Sequence, residues 1–293
     1  MVVKTVVAYR NLIRDYILLT KPGIVVLVLI TCLTGMYLAA KGFPSPWLVF
    51  WCLLGTGLAS AGSAVLNQFF DRDIDAIMSR TKSRPLPSGS VSPLSALIFG
   101  SILLITSFYI MAVFINPVAT FFTLTASFFY VVVYTLALKR RSPLATEIGG
   151  ISGALPPVIG YTAVTGKLSI EPLILFLIMF VWQPPHFWVL AVKYAEDYKK
   201  AGVPTLPVVK GIFQTKVRTL FYTAMLFPLS LLPALYGMAG KVYFFTAFVL
   251  SFIYLILTLR FFFSKSSKGM FLFFYSIIYL ALLFSMMVFD MTR

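Results

Sequence analysis

Residues 46–75 read PWLVFWCLLGTGLASAGSAVLNQFFDRDID, a long apolar run that ends in a cluster of charged side chains. A helix of about 20 apolar residues crosses a bilayer, because it satisfies its backbone hydrogen bonds within its own segment. The same pattern recurs along the chain, in which 60% of the 293 residues are hydrophobic and only 11% are charged. So little polar surface excludes a soluble globular protein of this length. The sequence therefore predicts an all-α, polytopic membrane bundle.

Nine apolar runs are long enough to be transmembrane helices. The first of them is longer than the apolar part of a signal peptide and follows a basic amino-terminal segment, so we interpret it as a retained span. Short connections without low-complexity sequence predict one transmembrane domain over residues 1–293. The predicted spans are residues 22–41, 46–66, 92–114, 117–138, 143–163, 170–192, 217–238, 242–263 and 270–289.

The distribution of basic residues predicts the orientation of the bundle. With nine spans, all Lys and Arg residues but four lie at the amino terminus or beside the even-numbered connections; the exceptions are Lys41, Lys167, Lys241 and Arg293. Short loops rich in Lys and Arg stay in the cytoplasm, so we expect a plasma-membrane protein with its amino terminus inside and its carboxyl terminus outside. The same topology signal, together with anionic lipid, accounts for most of the net charge of +15, and no nucleic-acid partner is expected.

Two of the predicted cytoplasmic connections are rich in acid as well as base. Each runs from acidic residues through basic residues to a Leu-Pro turn and a glycine. A pair of such loops between antiparallel spans is expected to close over one polar group. The first loop carries Asp71, Asp73, Asp75, Arg80, Lys82 and Arg84, and the second carries Glu196, Asp197, Lys199 and Lys200.

The spacing in the first loop favours a metal and phosphate site. If the second span continues as a helix, Asn67, Asp71 and Asp75 recur every four residues and share one face. Carboxylate and amide oxygens are typical Mg²⁺ ligands, and Mg²⁺ also binds substrate phosphate. Arg80 and Arg84 then supply hydrogen bonds to phosphate oxygens. The combination indicates a diphosphate, whereas a loop whose charges only anchor helix ends is the simpler alternative.

Aromatic residues near this loop are expected to hold the apolar part of such a substrate. Aromatic faces accommodate hydrocarbon and can also stabilise a carbocation. The candidates are Phe69, Phe70, Tyr130 and Tyr134.

The motif Asn67-x-x-x-Asp71-x-x-x-Asp75 resembles that of the intramembrane prenyltransferase superfamily, which carries it after the second helix. Similarity to the heme-directed branch rests on Arg80-Thr81, Arg84-Pro85 and residues 182–191, WQPPHFWVLA. It continues through residues 197–207 and extends over nearly the whole chain. The resemblance implies a nine-helix enzyme that uses Mg²⁺ to transfer the farnesyl group of farnesyl diphosphate to a vinyl group of heme B. A downstream heme A synthase or terminal oxidase assembly is an expected partner.

The resemblance also implies roles for individual residues. Metal ligands are expected at Asn67, Asp71, Asp75 and Asp197, and catalytic roles at Asp71, Asp75, Asp197 and His186. The second loop lacks the Asp-x-x-x-Asp of other branches, which leaves the number of metal ions open. Substrate-binding roles are expected for Asn67, Arg80, Arg84, Tyr134, Lys139, Trp182, Trp188, Tyr194, Glu196, Tyr198 and Lys200.

Two further residues carry hypotheses of their own. His186 is the only histidine of the chain and follows Pro184-Pro185, which loosen a helix and suit a cavity wall. A neutral imidazole there either ligates heme iron, which we favour, or accepts a proton during the reaction. Glu147 stands where relatives carry no acid, and it is either an interfacial charge that reaches water or an extra group of the phosphate site.

Two other functions compete with this prediction. A relative that prenylates a quinone precursor or another aromatic acceptor would share the first loop but not the WQPPHFW stretch of residues 182–188. A secondary transporter would place its charged groups near the bilayer midplane. The charges of this chain cluster at one predicted membrane face, which favours an enzyme.

Overall fold

The computed structural model describes residues 12–264 and 269–292, and these residues are helical apart from turns and one isolated β-bridge between Ala239 and Met291. This confirms the predicted all-α class. The helices are α1 (residues 12–19), α2 (Pro22–Ala40), α3 (Pro46–Ile77), α4 (Pro93–Phe114), α5 (Pro117–Phe128), a π-helix (Phe129–Leu138), α6 (Ala145–Ala154), α7 (Pro156–Thr165), α8 (Ile170–Lys193), α9 (Ala195–Lys200), α10 (Leu206–Leu235), α11 (Lys241–Phe263) and α12 (Met270–Phe289).

Local sequence explains where several of these helices begin. Proline is the first residue of α2, α3, α4, α5 and α7, and its missing N–H would have no helical partner at that position. Ser92 and Asn116 precede α4 and α5, and their side chains accept hydrogen bonds from the backbone of Ser95 and Ala119.

Within residues 12–264 and 269–292, eight helices are long and apolar enough to cross a membrane, which makes the chain an integral membrane protein. The segment predicted as the fifth span forms two helices instead, α6 and α7, each ten residues long. They meet at Leu155, because Pro156 has no backbone donor for α6. Neither is long enough to span a bilayer alone, so the count of nine spans stays a prediction.

Two helices extend beyond the predicted spans. Helix α3 continues to Ile77, so that Asn67, Asp71 and Asp75 lie on an unbroken helix as the spacing argument required. Helix α10 begins at Leu206 and bends at Gly211, whose φ of 78° is accessible to glycine.

Helices α2 and α7 are in close backbone contact. A Cβ atom added at Gly160 would lie 1.9 Å from the carbonyl oxygen of Cys32, and one at Gly35 would lie 2.1 Å from that of Pro157. Small residues allow such backbone approach in membrane bundles. A larger buried cluster joins α8, α10, α11 and α12 on the other side.

Candidate active site

A cavity of about 650 Å³ runs through the bundle between α2, α3, α5, α6, α7 and α8. Its lining changes from polar and charged at one end, with Asn67, Asp75 and Lys139, to mostly small or apolar residues at the other, with Thr56 and Ile159. Thr56 and Asn67 are about 16 Å apart along α3 at 1.5 Å per residue, so the cavity is deep enough for an extended chain. A polar head group and a hydrocarbon tail therefore fit it together.

Two buried carboxylates lie at the charged end: Asp75 lines the cavity, and Asp71 is not part of the lining but bonds two residues that are. Asp71 is fully buried, and its Oδ2 accepts hydrogen bonds from Asn67 Nδ2 at 2.7 Å and from Lys139 Nζ. Asp75 is 2% exposed and accepts a hydrogen bond from Arg84 Nη1 at 2.7 Å. Asp71 Oδ1 is buried without a hydrogen-bond partner in the part of the chain that the structure describes. An unpaired buried carboxylate oxygen is costly, and a bound cation would offset that cost.

Lys21, a basic residue of the amino-terminal segment, also belongs to this cluster. Its Nζ donates to Asn67 Oδ1 at 2.7 Å and lies 3.4 Å from the hydroxyl of Tyr130. Burial, and then the nearby charges of Arg84 and Lys139, lower the pKa of Lys21 to about 7. Lys21 immediately precedes the first predicted span, on the same predicted side as both acidic loops. That position is the sequence feature that could have identified it as a site residue.

The π-helix after α5 shapes one wall of the charged end. Its wider turn stacks the rings of Tyr130 and Tyr134, with centroids 5.8 Å apart, on the cavity surface. It also brings the Thr135 hydroxyl within 3.0 Å of Asn67 Nδ2. Single π-helical turns are frequently found at functional sites. The structure thus brings together Asn67, Asp71, Asp75, Arg84, Tyr134 and Lys139, as the sequence predicted.

The charged end fits a Mg²⁺ ion. No cluster of three or more His, Cys, Asp or Glu residues occurs in the described ranges 12–264 and 269–292. A cation at this end would be held by Asp71, Asp75 and the amide oxygen of Asn67. Because two carboxylates alone do not complete a coordination shell, substrate and water oxygens would supply the remaining ligands. Mg²⁺ usually binds in this way, through one or two carboxylates and a phosphate.

The second acidic loop packs on the first. Asp197 accepts a hydrogen bond from Ser79 at 2.5 Å, and Arg80 lies over the Tyr194 ring at 5.0 Å and donates to the Tyr198 hydroxyl at 3.3 Å. Arg80 and Tyr198 line the cavity, whereas Asp197 does not.

The other predicted residues of this loop are not part of the cavity lining. Glu196 and Lys200 are exposed, and Tyr194 contacts Arg80 and Lys193. Their expected substrate contacts stay predictions.

His186 lies on the α8 wall of the cavity. Its ring is held between Trp182 and Phe273, with centroid distances of 4.6 and 4.5 Å, and its Nδ1 is 2.6 Å from Ser276 Oγ. Trp182 and His186 both line the cavity. Trp188, predicted beside them, is instead fully buried against Tyr222 of α10, because it projects from a different face of α8.

The structure also places Glu147 and the four aromatic residues that were expected near the first loop. Glu147 is 8% exposed and does not line the cavity; it accepts a hydrogen bond from Arg218 at 2.8 Å, which ties α6 to α10. Tyr130 and Tyr134 line the cavity, but Phe69 and Phe70 are not part of that lining.

The fold and the site define an intramembrane prenyltransferase: the chain belongs to the UbiA prenyltransferase family, whose sequence model matches residues 28–286. It is 60% identical over 286 residues to the protoheme IX farnesyltransferase of Aquifex aeolicus, with 98% of each chain covered. It is 42% identical over 280 residues to the protein of the same name from Neorickettsia sennetsu, covering 95% of this chain and 92% of that protein.

Two solved structures share the fold at low sequence identity. One is of digeranylgeranylglyceryl phosphate synthase, with a TM-score of 0.82, 21% identity and coverage of 96% of this chain and 98% of that chain. The other is a UbiA homolog from Archaeoglobus fulgidus bound to DMAPP and Mg²⁺, with a TM-score of 0.65, 22% identity and coverage of 94% and 98%.

Proposed function

We propose that this protein transfers the farnesyl group of farnesyl diphosphate to a vinyl group of heme B, forming heme O and diphosphate. One observation supports it above the others: the buried carboxylates of Asp71 and Asp75 bond Lys139 and Arg84 at the charged end of a cavity whose α8 wall carries an imidazole between aromatic rings. The name of the Aquifex aeolicus relative supports the same pair of substrates.

The cations of the charged end would bind the diphosphate. Lys21, Arg84 and Lys139 each contact a polar member of the Asn67–Asp71–Asp75 motif and would exchange part of these bonds for phosphate oxygens. Arg80 adds a guanidinium to the same cavity. Mg²⁺, held by Asn67, Asp71 and Asp75, would neutralise charge on the leaving diphosphate.

The residues around the cavity suit an allylic substitution. The bond between farnesyl C1 and oxygen breaks with its electron pair leaving on diphosphate, and the π electrons of the vinyl group form the new C–C bond. The rings of Tyr130 and Tyr134 face the cavity where the allylic cation would form and would stabilise it. Water then adds to the cation beside the porphyrin ring and loses a proton, giving the hydroxyl group.

A comparison of acceptors tests this proposal against the aromatic-acceptor alternative. Purified protein with labelled farnesyl diphosphate and Mg²⁺ is offered heme B and 4-hydroxybenzoate together. We expect the label on the porphyrin; label on the benzoate would favour the alternative. A transporter is disfavoured because the charged residues gather at one end of the cavity rather than at its centre.

We also propose that α6 and α7, which meet end to end at Leu155, cross the plasma membrane as one pass, which completes nine passes with a cytoplasmic amino terminus. Lys82→Cys and Lys200→Cys should then react with an impermeant thiol reagent only after the inner face is opened. Both positions are exposed. Labelling is measured on intact cells and on inverted vesicles.

Lys167→Cys, in the exposed turn between α7 and α8, is the matched control and should react from the outside. The native Cys32 and Cys52 are fully buried and give no background. Outside labelling at position 82 or 200 would refute the orientation.

We further propose that His186 ligates the heme iron. His186→Ala should abolish the absorption shift on titration of purified protein with heme, because the imidazole nitrogen is lost. Farnesyl diphosphate binding should persist, since the charged end is unchanged. An unaltered spectrum combined with lost turnover would assign His186 to proton transfer instead.

A further inference from the structure

Ser276 of α12 contacts two cavity residues of α8 at once. Its backbone oxygen accepts a hydrogen bond from Trp182 Nε1 at 2.9 Å, and its Oγ is 2.6 Å from His186 Nδ1. Ser276 is fully buried, and Phe273, one turn earlier on the same helix face, stacks on the imidazole at 4.5 Å. The position and plane of the His186 ring are therefore set largely by α12.

The hydrogen bonds of Ser276 also set the position of the imidazole proton. Ser276 Oγ donates to the carbonyl oxygen of Phe273 at 2.6 Å. A serine hydroxyl has one hydrogen, and while that hydrogen bonds Phe273 the oxygen can only accept from His186, an arrangement that assigns the proton to Nδ1. The neutral ring then bears a lone pair on Nε2, which has no hydrogen-bond partner among residues 12–264 and 269–292.

We propose that Ser276 is a positioning residue that holds His186 as the Nδ1–H tautomer, with the Nε2 lone pair available to the iron of the acceptor. The inference rests on the proposed function, because the acceptor must be an iron porphyrin. Histidines that bind metals almost always donate their second ring N–H to an oxygen, and loss of that oxygen lowers metal affinity by about 10- to 100-fold. Ser276 Oγ is such an oxygen, and the two flanking rings prevent the imidazole from turning away.

Heme titration of the purified full-length protein tests this role. Ser276→Ala should raise the dissociation constant for heme by about 10- to 100-fold and weaken the His186-dependent absorption shift. Ser276→Thr, which keeps the hydroxyl, should restore both. Farnesyl diphosphate binding should be unchanged in either variant.

Ser251→Ala is the matched control. Ser251 is also buried, but its hydroxyl bonds Ser230 and Tyr279 rather than His186, so its loss should leave the heme spectrum unchanged. If Ser276→Ala does not fold, Ser276→Cys keeps a side chain of similar size with only a weak acceptor and should show the same loss.

Two outcomes separate this inference from the proposed function. Wild-type heme affinity in Ser276→Ala, with the spectral shift lost in His186→Ala, would overturn the role of Ser276 and leave the function standing. A wild-type spectrum in His186→Ala would overturn both the iron ligation and the role of Ser276. Formation of a farnesylated porphyrin is measured independently of either result.

Discussion

Asp71→Asn is expected to lower turnover by about 100-fold or more, because it removes a carboxylate proposed to hold the Mg²⁺ that neutralises the leaving diphosphate. Asp71 is fully buried and has one oxygen without a partner, so no other described side chain supplies that charge at the same point. The bundle should stay folded, since the Lys139 side chain remains 16% exposed at the cavity and keeps contact with solvent. Turnover is measured at saturating Mg²⁺, and folding is followed by thermal melting.

Asp73→Asn is the matched control for this change. It makes the same substitution two residues away, at an exposed carboxylate that pairs with Arg140 outside the cavity. Exposed ion pairs contribute little, so turnover should stay within a few-fold of wild type. Wild-type, Mg²⁺-dependent activity in Asp71→Asn would contradict the assignment.

Gly160→Ala is expected to destabilise the protein by about 1–3 kcal/mol or more, because overpacking a close helix contact forces the backbones apart. The added Cβ would lie 1.9 Å from the carbonyl oxygen of Cys32, a backbone atom that no side-chain rotation can move. Helix α2 would have to withdraw from α7, and both helices line the cavity. The melting temperature in detergent should fall.

Gly57→Ala is the comparison for this effect. It adds the same methyl group in a transmembrane helix, but the nearest atom is Leu29 Cδ2 at 3.5 Å, an ordinary contact with a flexible side chain. Alanine also favours helix by about 1 kcal/mol over glycine, so this variant should melt at or above the wild-type temperature. Equal melting temperatures for the two variants would disprove the close packing of α2 on α7.

Those features that depend on helix geometry within one segment could be predicted from the sequence. Apolar runs predicted the eight described helices that are long enough to cross a membrane. The four-residue period of Asn67, Asp71 and Asp75 predicted a shared helix face, because α3 continues without a break. The interruption before Pro156 was not foreseen, since proline at that point either kinks a helix or begins a new one.

Contacts between distant segments were not predictable in the same way. Lys21 meets Asn67, Asp197 meets Ser79, and Ser276 meets His186 only because the packing of the bundle brings their helices and loops together. The π-helix that aligns Tyr130 with Tyr134 has no local sequence signature that we could read.

The central claim, farnesyl transfer to heme, is tested most directly by the mass of the porphyrin product. Purified protein is incubated with heme B, farnesyl diphosphate and Mg²⁺ in ¹⁸O-labelled water. The porphyrins are then separated and their molecular masses are measured by mass spectrometry. We predict a product heavier than heme B by one farnesyl group and one ¹⁸O-labelled hydroxyl group, absent with Asp71→Asn. Unmodified heme B alongside farnesol or another prenylated acceptor would contradict the account.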